Sequence, residues 1–356
     1  MPNATDAPCP SNVANSSPAL LDLRSGQNPY GPPASVVTAA TRAVCERNPD
    51  PAALSARTAV AERFGVGPEQ VMLGHGASDL MFSCVHAWAN ASCVWLAIEP
   101  GESDHLARAR RAGARVTRWR SVERTGHRVD LEQVAELMRL ESPNIVSLAA
   151  PGSPTGASVP FAQLCRLAEQ FPQTRFLVNQ SWLSLSDDHA DLELVPPDNV
   201  LCIRSLSVEL ALTGVRAGYV LGNARQLGEL AATRPSFAAS SVAQAVVQAA
   251  VQEPAFLNHS RQQLRADRAR LAETLAALSL VHTPSVAPFL LVRVARAEEV
   301  TRELLEQHAV AVCDATPFGL PDHLRISSVD APAAQRLRAT LGEVLARRGL
   351  VRGREP

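Results

Sequence analysis

The stretch VMLGHGASDLMFSCVHAW, residues 71–88, decides the fold. It begins with a short apolar segment, turns at the glycines 74 and 76, and then repeats apolar side chains at helical spacing. Apolar residues at positions i, i+3 and i+4 indicate a helix, whereas a short apolar run before a glycine turn is consistent with a buried strand. The stretch therefore predicts a strand, a loop and a buried helix in succession.

Further short β-rich runs follow this unit, and most of them are separated by helical stretches such as HLARARRAG (105–113) and FAQLCRLAEQF (161–171). The runs are SCVWLAIEP (92–100), ARVTRW (114–119), NIVSLAAP (144–151), RFLVNQSW (175–182), NVLCIRSL (199–206) and AGYVLG (217–222). Alternation of this kind predicts an α/β fold with a mainly parallel sheet covered by helices on both faces.

The end of the chain has a different pattern, which predicts a small α+β domain. Two β-rich runs, FLLVRVA (289–295) and HLRISSV (323–329), alternate with two helical ones, EEVTRELLEQHA (298–309) and AAQRLRATLGEVLARRG (333–349). Residues 1–20 are rich in Pro, Ser, Asn and Ala and are expected to form a flexible arm. We expect a large domain over residues 21–254 and a small one over 255–356.

The composition limits the kinds of ligand that the protein is expected to bind and the cellular compartment in which it is expected to lie. The 356 residues carry a formal net charge of -1, with no basic block, which argues against nucleic-acid and membrane partners and favours a small-molecule ligand. The seven cysteines are scattered and form no CxxC pair, so neither a disulfide framework nor a metal site is expected. The sequence shows no apolar run long enough to cross a bilayer and no signal-peptide pattern at its start, and we expect a cytoplasmic protein.

The sequence contains no lysine. Lysine and arginine together number 34, and all of these residues are arginine. Arginine replaces lysine well on a surface. It cannot replace a lysine that chemistry requires, because the guanidinium stays protonated and forms no Schiff base.

Eight short motifs occur in an order that resembles one enzyme family. They are QNPYGPP (27–33), NPDP (48–51), GHGASDL (74–80), PGSPTG (151–156), VNQSW (178–182), RSLSVELALTGVRAGY (204–219), PFGLP (317–321) and HLRIS (323–327). From about Leu21 onward the chain resembles the class I/II aminotransferases, which have the fold-type I architecture and use pyridoxal phosphate (PLP). It is most similar to the branch of histidinol-phosphate aminotransferase and threonine-phosphate decarboxylase.

The resemblance implies that the groups which bind anions are kept. A glycine turn at a helix N-terminus would present backbone N–H groups to a phosphate. The positions that match this anion site are Gly76, Ala77, Ser78, Ser205, Ser207 and Arg216. Arg325 matches the arginine that holds the substrate carboxylate, and Asn28, with Tyr30 beside it, matches the N-terminal loop near the substrate.

The resemblance also implies that the groups which handle the cofactor ring are lost. Val208 stands where the Schiff-base lysine belongs, and Asn179 replaces the aspartate that keeps the ring nitrogen protonated. Trp182 replaces a tyrosine and Ser153 an asparagine, both of which contact the ring oxygen. We place Ser153, Asn179 and Trp182 among the substrate-binding residues.

These losses lead to the expectation of no PLP cofactor. The first hypothesis is a PLP-independent enzyme of specialised metabolism that acts on an anionic, amino-acid-like substrate, with acid/base groups from His105, His75 or Glu209 and a reaction type that stays open. The second is a non-catalytic subunit or regulator paired with an active paralogue. The third is a non-covalent binder of PLP, pyridoxamine phosphate (PMP) or a preformed PLP–substrate aldimine. A homodimer is expected, with a heterodimer as the alternative.

Overall fold

The computed structural model describes residues 19–350. The flexible arm expected over residues 1–20 therefore lies, except for its last two residues, outside the described part, as do residues 351–356. Within the described part the strands are β1 (Leu21–Asp22), β2 (Val71–Gly74), β3 (Val94–Glu99), β4 (Arg115–Arg120), β5 (Ile145–Ala149), β6 (Arg175–Asn179), β7 (Val200–Ser205), β8 (Gly218–Leu221), β9 (Phe289–Arg293), β10 (Val310–Ala311), β11 (Cys313–Asp314) and β12 (His323–Ser327).

The α-helices of the same residues alternate with these strands. They are α1 (Ala34–Thr41), α2 (Leu54–Phe64), α3 (Gly76–Trp88), α4 (Asp104–Arg111), α5 (Leu131–Glu141), α6 (Phe161–Gln170), α7 (Leu206–Glu209), α8 (Ala224–Ala231), α9 (Ser241–Ala250), α10 (Pro254–Ala277), α11 (Ala297–His308) and α12 (Ala331–Arg347). None of them is long and apolar enough to cross a lipid bilayer.

The large sheet has seven strands in the order β2-β8-β7-β6-β5-β3-β4. The pairs from β4 through β7 are parallel, and β8 is antiparallel to both of its neighbours. The prediction of a mainly parallel sheet in an α/β fold is confirmed. Because the strands from β3 to β7 run in one direction, their carboxyl ends meet at a single edge, where ligands of such sheets commonly bind.

The two faces of this sheet carry separate apolar cores. Along β7, Cys202 packs into one core, whereas Leu201 and Ile203 pack into the other. Side chains alternate between the two faces along a strand, so neighbouring residues of β7 lie on opposite faces of the sheet. This alternation decides below which of the candidate residues can meet.

The C-terminal residues form a smaller sheet in the order β11-β12-β9, packed against α10, α11 and α12. The short β1 pairs with β10 of this unit, so the chain from Leu21 to Leu23 joins the C-terminal core before it enters the large sheet. The domain boundaries expected from the sequence stay a prediction. This pairing brings the segment around Gly26 to the cleft between the two sheets, where Trp182 and Phe289 are its neighbours.

Candidate functional site

A cavity lies at the carboxyl ends of β3, β5 and β6, and we call it the central cavity. Four of the residues selected from the sequence line it: Ala77, Ser78, His105 and Asn179. They come from the N-terminus of α3, the first turn of α4 and the end of β6. Residues far apart in sequence therefore meet at the edge where the parallel strands end, as the βα connections of this fold require.

The turn between β2 and α3 needs both of its glycines. A Cβ atom on Gly74 would lie 2.7 Å from Cδ2 of Leu80, so no side chain fits there. Gly76 has a φ of +79°, a left-handed conformation that other residues adopt only with strain. His75 provides no side-chain cap to α3, so the first N–H groups of this helix remain available to an anion.

Arg216, two residues before β8, adds a positive charge to this candidate anion site. Its Nη2 lies 2.8 Å from the point that a Cβ atom on Gly76 would occupy. Its hydrogen bonds are long ones, 3.4 Å to the Thr213 carbonyl and 3.5 Å to the His75 carbonyl. Across residues 19–350 no carboxylate lies within ion-pair distance of Arg216. Its positive charge is thus directed at the helix N-terminus without an acidic partner.

Ser205 and Ser207 approach the same turn from β7 and α7. Ser205 is paired with Gly218 in the sheet, and Gly218 in turn lies against the backbone of Gly76. Ser207 donates a long hydrogen bond of 3.4 Å to the Ala217 carbonyl. The six residues predicted for the anion site are therefore neighbours, although only Ala77 and Ser78 of the six line the central cavity.

His105 forms a buried wall of the central cavity. Its ring centroid lies 5.8 Å from that of Trp95, and its Nε2 is 3.4 Å from the Ser147 hydroxyl. Burial lowers the pKa of His105 to about 4. A neutral imidazole at neutral pH suits a wall for a flat ligand better than the acid/base role expected from the sequence.

Asn179 faces the central cavity from the end of β6. Its Oδ1 accepts hydrogen bonds from the backbone N–H and the hydroxyl of Ser181, at 3.0 and 2.6 Å. The group that Asn179 leaves for a ligand is consequently its amide nitrogen, which is a neutral donor.

Val208 packs in a small apolar cluster with Trp182, Ala287 and Phe289. The rings of Trp182 and Phe289 meet edge to face with their centroids 5.1 Å apart. The Trp182 ring also lies 2.9 Å from the point of a Cβ atom on Gly26. The position matched to the Schiff-base lysine therefore carries neither an amine nor another nucleophile.

Arg325 is buried beside this cluster and does not line the central cavity. Its Nη1 donates to the Ser153 hydroxyl at 2.5 Å, and its Nη2 donates to the Arg24 carbonyl. Its Nε is buried without a partner, and its guanidinium lies 5.2 Å from the Phe289 ring centroid. The carboxylate role inferred for Arg325 and the substrate contact inferred for Ser153 stay predictions, and a ligand would have to displace Ser153 to reach both terminal nitrogens of Arg325.

Asn28 and Tyr30 hold the N-terminal loop in place. The Asn28 side chain donates to the Glu209 carbonyl at 2.8 Å and to the Ser260 hydroxyl at 3.0 Å, and it accepts from the Tyr30 N–H. The Tyr30 hydroxyl donates to Asp267 on α10. Neither residue lines the central cavity, and the substrate contact expected for them from the sequence stays a prediction.

His75 and Glu209 also lie away from the central cavity. His75 borders a separate surface hollow with Asp79 and His86. Glu209 lies on the other face of the sheet, in a cavity with Arg204 and Tyr219. The expectation that these two residues supply acid/base groups beside His105 is not supported, because the sheet separates Glu209 from the central cavity.

Sequence reasoning missed the acidic lining of the central cavity. Glu99 is the last residue of β3, Glu102 and Asp104 follow it, and all three face the cavity, as Ser147 does from β5. Glu99 is paired with Arg118 at 2.9 Å. The signal was present in the sequence, since residues directly after a buried parallel strand are placed at the ligand-binding edge.

Known proteins with this architecture were compared with the chain. The family model described as aminotransferase class I and II matches residues 18–341. The histidinol-phosphate aminotransferase 1 of Thiobacillus denitrificans is 30% identical over 342 residues, which are 92% of this chain and 86% of that protein. The histidinol-phosphate aminotransferase of Chlorobaculum tepidum is 28% identical over 297 residues, covering 80% of this chain and 83% of the relative.

A solved structure has the same fold. The histidinol-phosphate aminotransferase of Sinorhizobium meliloti, in complex with pyridoxal-5'-phosphate, superimposes with a TM-score of 0.84 at 22% identity, over 92% of this chain and 91% of the other. The expectation that no cofactor belongs to this site is therefore wrong. The family match and the PLP complex of this structural relative both point to a PLP cofactor.

The order of the motifs, the mainly parallel sheet and the glycine turn beneath Arg216 agree with the family model over most of the chain. The family model covers most of the chain, and the two relatives are aligned over four fifths of it or more. The chain belongs to the aminotransferase class I and II family.

Proposed function

We propose that the protein binds PLP, or its aminated form PMP, in the central cavity without a covalent bond to the chain. The observation that carries this proposal is the position of Arg216 over Gly76, at an uncapped helix N-terminus and without an acidic partner in the described chain. A dianionic phosphate fits this arrangement, because N–H groups, the helix dipole and a guanidinium all favour negative charge at one point.

The residues around Arg216 and Gly76 fit the cofactor phosphate. The residues around Val208 exclude a covalent bond between the chain and the cofactor. An imine requires an uncharged primary amine, and the sequence has no lysine that could supply it. Val208 and Trp182 fill the region with apolar side chains instead. The affinity of this site for the cofactor would then come from phosphate binding and ring contacts alone.

When bound, PLP supplies an aldehyde and an electron-accepting ring. The chain's own residues would hold and shield it. Arg216 and the first N–H groups of α3 bind the phosphate, the neutral His105 ring forms a wall, and Asn179 offers an amide donor. The carboxylates Glu102 and Asp104 at the same cavity favour a ligand that also carries an amine, as PMP and amino acids do.

We further propose a two-fold homodimer, as the resemblance implies. Sedimentation of the purified protein tests the assembly, and a stable monomer would contradict it. Co-expression with an active relative tests the alternative heterodimer.

Titration of the purified protein with PLP and with PMP, followed by absorbance and calorimetry, tests the proposed function. Saturable binding that inorganic phosphate displaces is the expected result, whereas pyridoxal, which lacks the phosphate, should not bind measurably. Borohydride reduction of the PLP complex should leave every internal peptide unmodified. Absence of saturable binding of both PLP and PMP would overturn the proposal.

A further inference from the structure

A second cavity lies on the face of the large sheet opposite the central cavity, and we call it the Arg204 cavity. It is enclosed by the C-terminus of α2, by β7, α7 and β8, and by the turn between α9 and α10. Arg204 reaches it because side chains alternate along β7, which places Arg204 on the opposite face from Ser205. Nothing in the function proposed above uses this space.

Arg204 is a buried cation with neutral partners. Its side chain is only 3% exposed; Nε donates to Oε1 of Gln180 at 3.0 Å, and Nη2 donates to the Leu192 carbonyl at 3.1 Å. The guanidinium carbon lies 4.5 Å from the ring centroid of Phe64. Nη1 is buried and has no hydrogen-bond partner. A buried charge without a counter-charge is unfavourable, so an acceptor that forms a hydrogen bond with Nη1 would stabilise the guanidinium.

Two more polar side chains in the Arg204 cavity are incompletely paired. The hydroxyl of Ser184, at a residue 4% exposed, has no hydrogen-bond partner in the described structure. Glu209 is 9% exposed, and its carboxylate forms no ion pair within 4.0 Å among residues 19–350. The rest of the wall is largely apolar, including Leu257 and the Phe64 ring. The cavity therefore combines the unpaired Nη1 of Arg204, and a Ser184 hydroxyl near the Glu209 carboxyl, with an apolar remainder.

We propose that the Arg204 cavity binds a small monocarboxylate, whose oxygens accept hydrogen bonds from Nη1 of Arg204 and from the Ser184 hydroxyl. The short apolar chain of such a ligand would lie against Phe64 and Leu257. A carboxylate fits better than water, because it satisfies both donors and also neutralises the guanidinium, which its present neutral partners do not.

The charged groups around the Arg204 cavity make this binding dependent on pH. Burial raises the pKa of Glu209 to about 7, although Ser184, Arg204 and Arg261 favour its charged form. Below neutral pH, Glu209 thus mostly holds a proton and leaves Arg204 to the ligand. The other groups do not titrate in this range. Arg63 is paired with Glu193, Arg261 is bonded to the Ser184 carbonyl, and burial raises the pKa of Tyr219.

Calorimetric titration with propionate tests the proposal, with inorganic phosphate in excess so that the central cavity is occupied. Propionate should bind at pH 6 with almost no proton exchange, because Glu209 is already about nine-tenths protonated there, and at pH 8 with uptake of nearly one proton. Propionamide, its neutral analogue, should not bind. If only the protonated form of Glu209 accepts the ligand, the apparent Kd should rise about thirtyfold between pH 6 and pH 8.5. Equal binding of propionate and propionamide, or no binding of propionate, would overturn the proposal.

Variants locate the binding and keep the test independent of folding defects. Ser184→Ala should weaken propionate binding several-fold, and Glu209→Gln should remove most of the pH dependence while binding persists. Arg204→Met should abolish binding. If Arg204→Met does not fold, Ser184→Ala and Glu209→Gln still test the proposal. Ser83→Ala, on the far face of the large sheet, serves as the matched control. If none of the variants in the Arg204 cavity changes propionate binding, the ligand binds elsewhere and the inference is refuted.

Discussion

The guanidinium of Arg216 lies directly over Gly76, with Nη2 2.8 Å from the point where a Cβ atom on that glycine would stand. This contact joins the N-terminus of α3 to the start of β8, two elements separated by more than a hundred residues. The absence of a side chain at Gly76 is what allows the charge of Arg216 to approach the helix N-terminus. The proposed phosphate site would thus depend on Gly76 as much as on Arg216.

Gly76→Ala should therefore weaken both the fold and phosphate binding. The φ of +79° costs a non-glycine residue about 1–2 kcal/mol, and the new methyl group would displace Arg216. Urea unfolding and calorimetric titration with inorganic phosphate measure the two effects. Gly214→Ala is the matched control, because nothing lies within 4 Å of a Cβ atom there. Equal phosphate affinity in the two variants would contradict the assignment of the site.

Arg216→Ala should lower the affinity for PLP and for inorganic phosphate by roughly ten- to a hundredfold, since a charge-assisted contact contributes about 1.5–3 kcal/mol. The control is Arg225→Ala, which removes the same charge from a side chain that is 81% exposed. Arg325→Ala should leave phosphate affinity nearly unchanged, because Arg325 is bonded to Ser153 and lies outside the central cavity. An Arg216→Ala variant that binds phosphate as tightly as the parent would refute this prediction.

Val208→Lys should introduce covalent PLP binding. The new amine would lie among Trp182, Ala287 and Phe289, where desolvation lowers the pKa of a lysine and favours its nucleophilic, uncharged form. After incubation with PLP and borohydride reduction, mass spectrometry should find a pyridoxyl group on the peptide that contains position 208. Val208→Met is the control of similar length. Because the chain has no other lysine, an unmodified peptide would show that position 208 does not face the bound cofactor.

His105 should make the fold less stable as the pH falls. Burial lowers its pKa to about 4 in the folded protein, whereas the unfolded chain titrates near 6.5, so the unfolded state binds more protons below pH 6.5. Its contribution to the free energy of unfolding should decrease by about 2 kcal/mol between pH 7.5 and pH 5. In urea unfolding, the His105→Gln variant should lack this decrease in the free energy of unfolding. The variant His86→Gln, at an exposed position, should show the same decrease as the parent. Parallel pH profiles for the parent and His105→Gln would count against a buried neutral imidazole.

The sequence was sufficient for the fold and for part of the site. Alternating apolar runs specified the strands and helices, and the glycine turn at 74–80 marked a candidate anion site, because such local patterns depend only on near neighbours. The absence of lysine likewise excluded a covalent cofactor linkage, since no tertiary arrangement can create a missing amine. The further step, from a lost lysine to a lost cofactor, was wrong, because phosphate binding and covalent attachment use different groups.

Only the tertiary structure decided which candidates share a cavity. Glu209 follows Val208 directly in the same short helix, yet Glu209 lies in a cavity with Arg204 whereas Val208 packs against Trp182. The Asn28 side chain is bonded to the Glu209 carbonyl and to Ser260, two contacts that the sequence around Asn28 does not indicate. The direction of a side chain is set by strand alternation and by packing between distant segments, and neither is a property of adjacent residues.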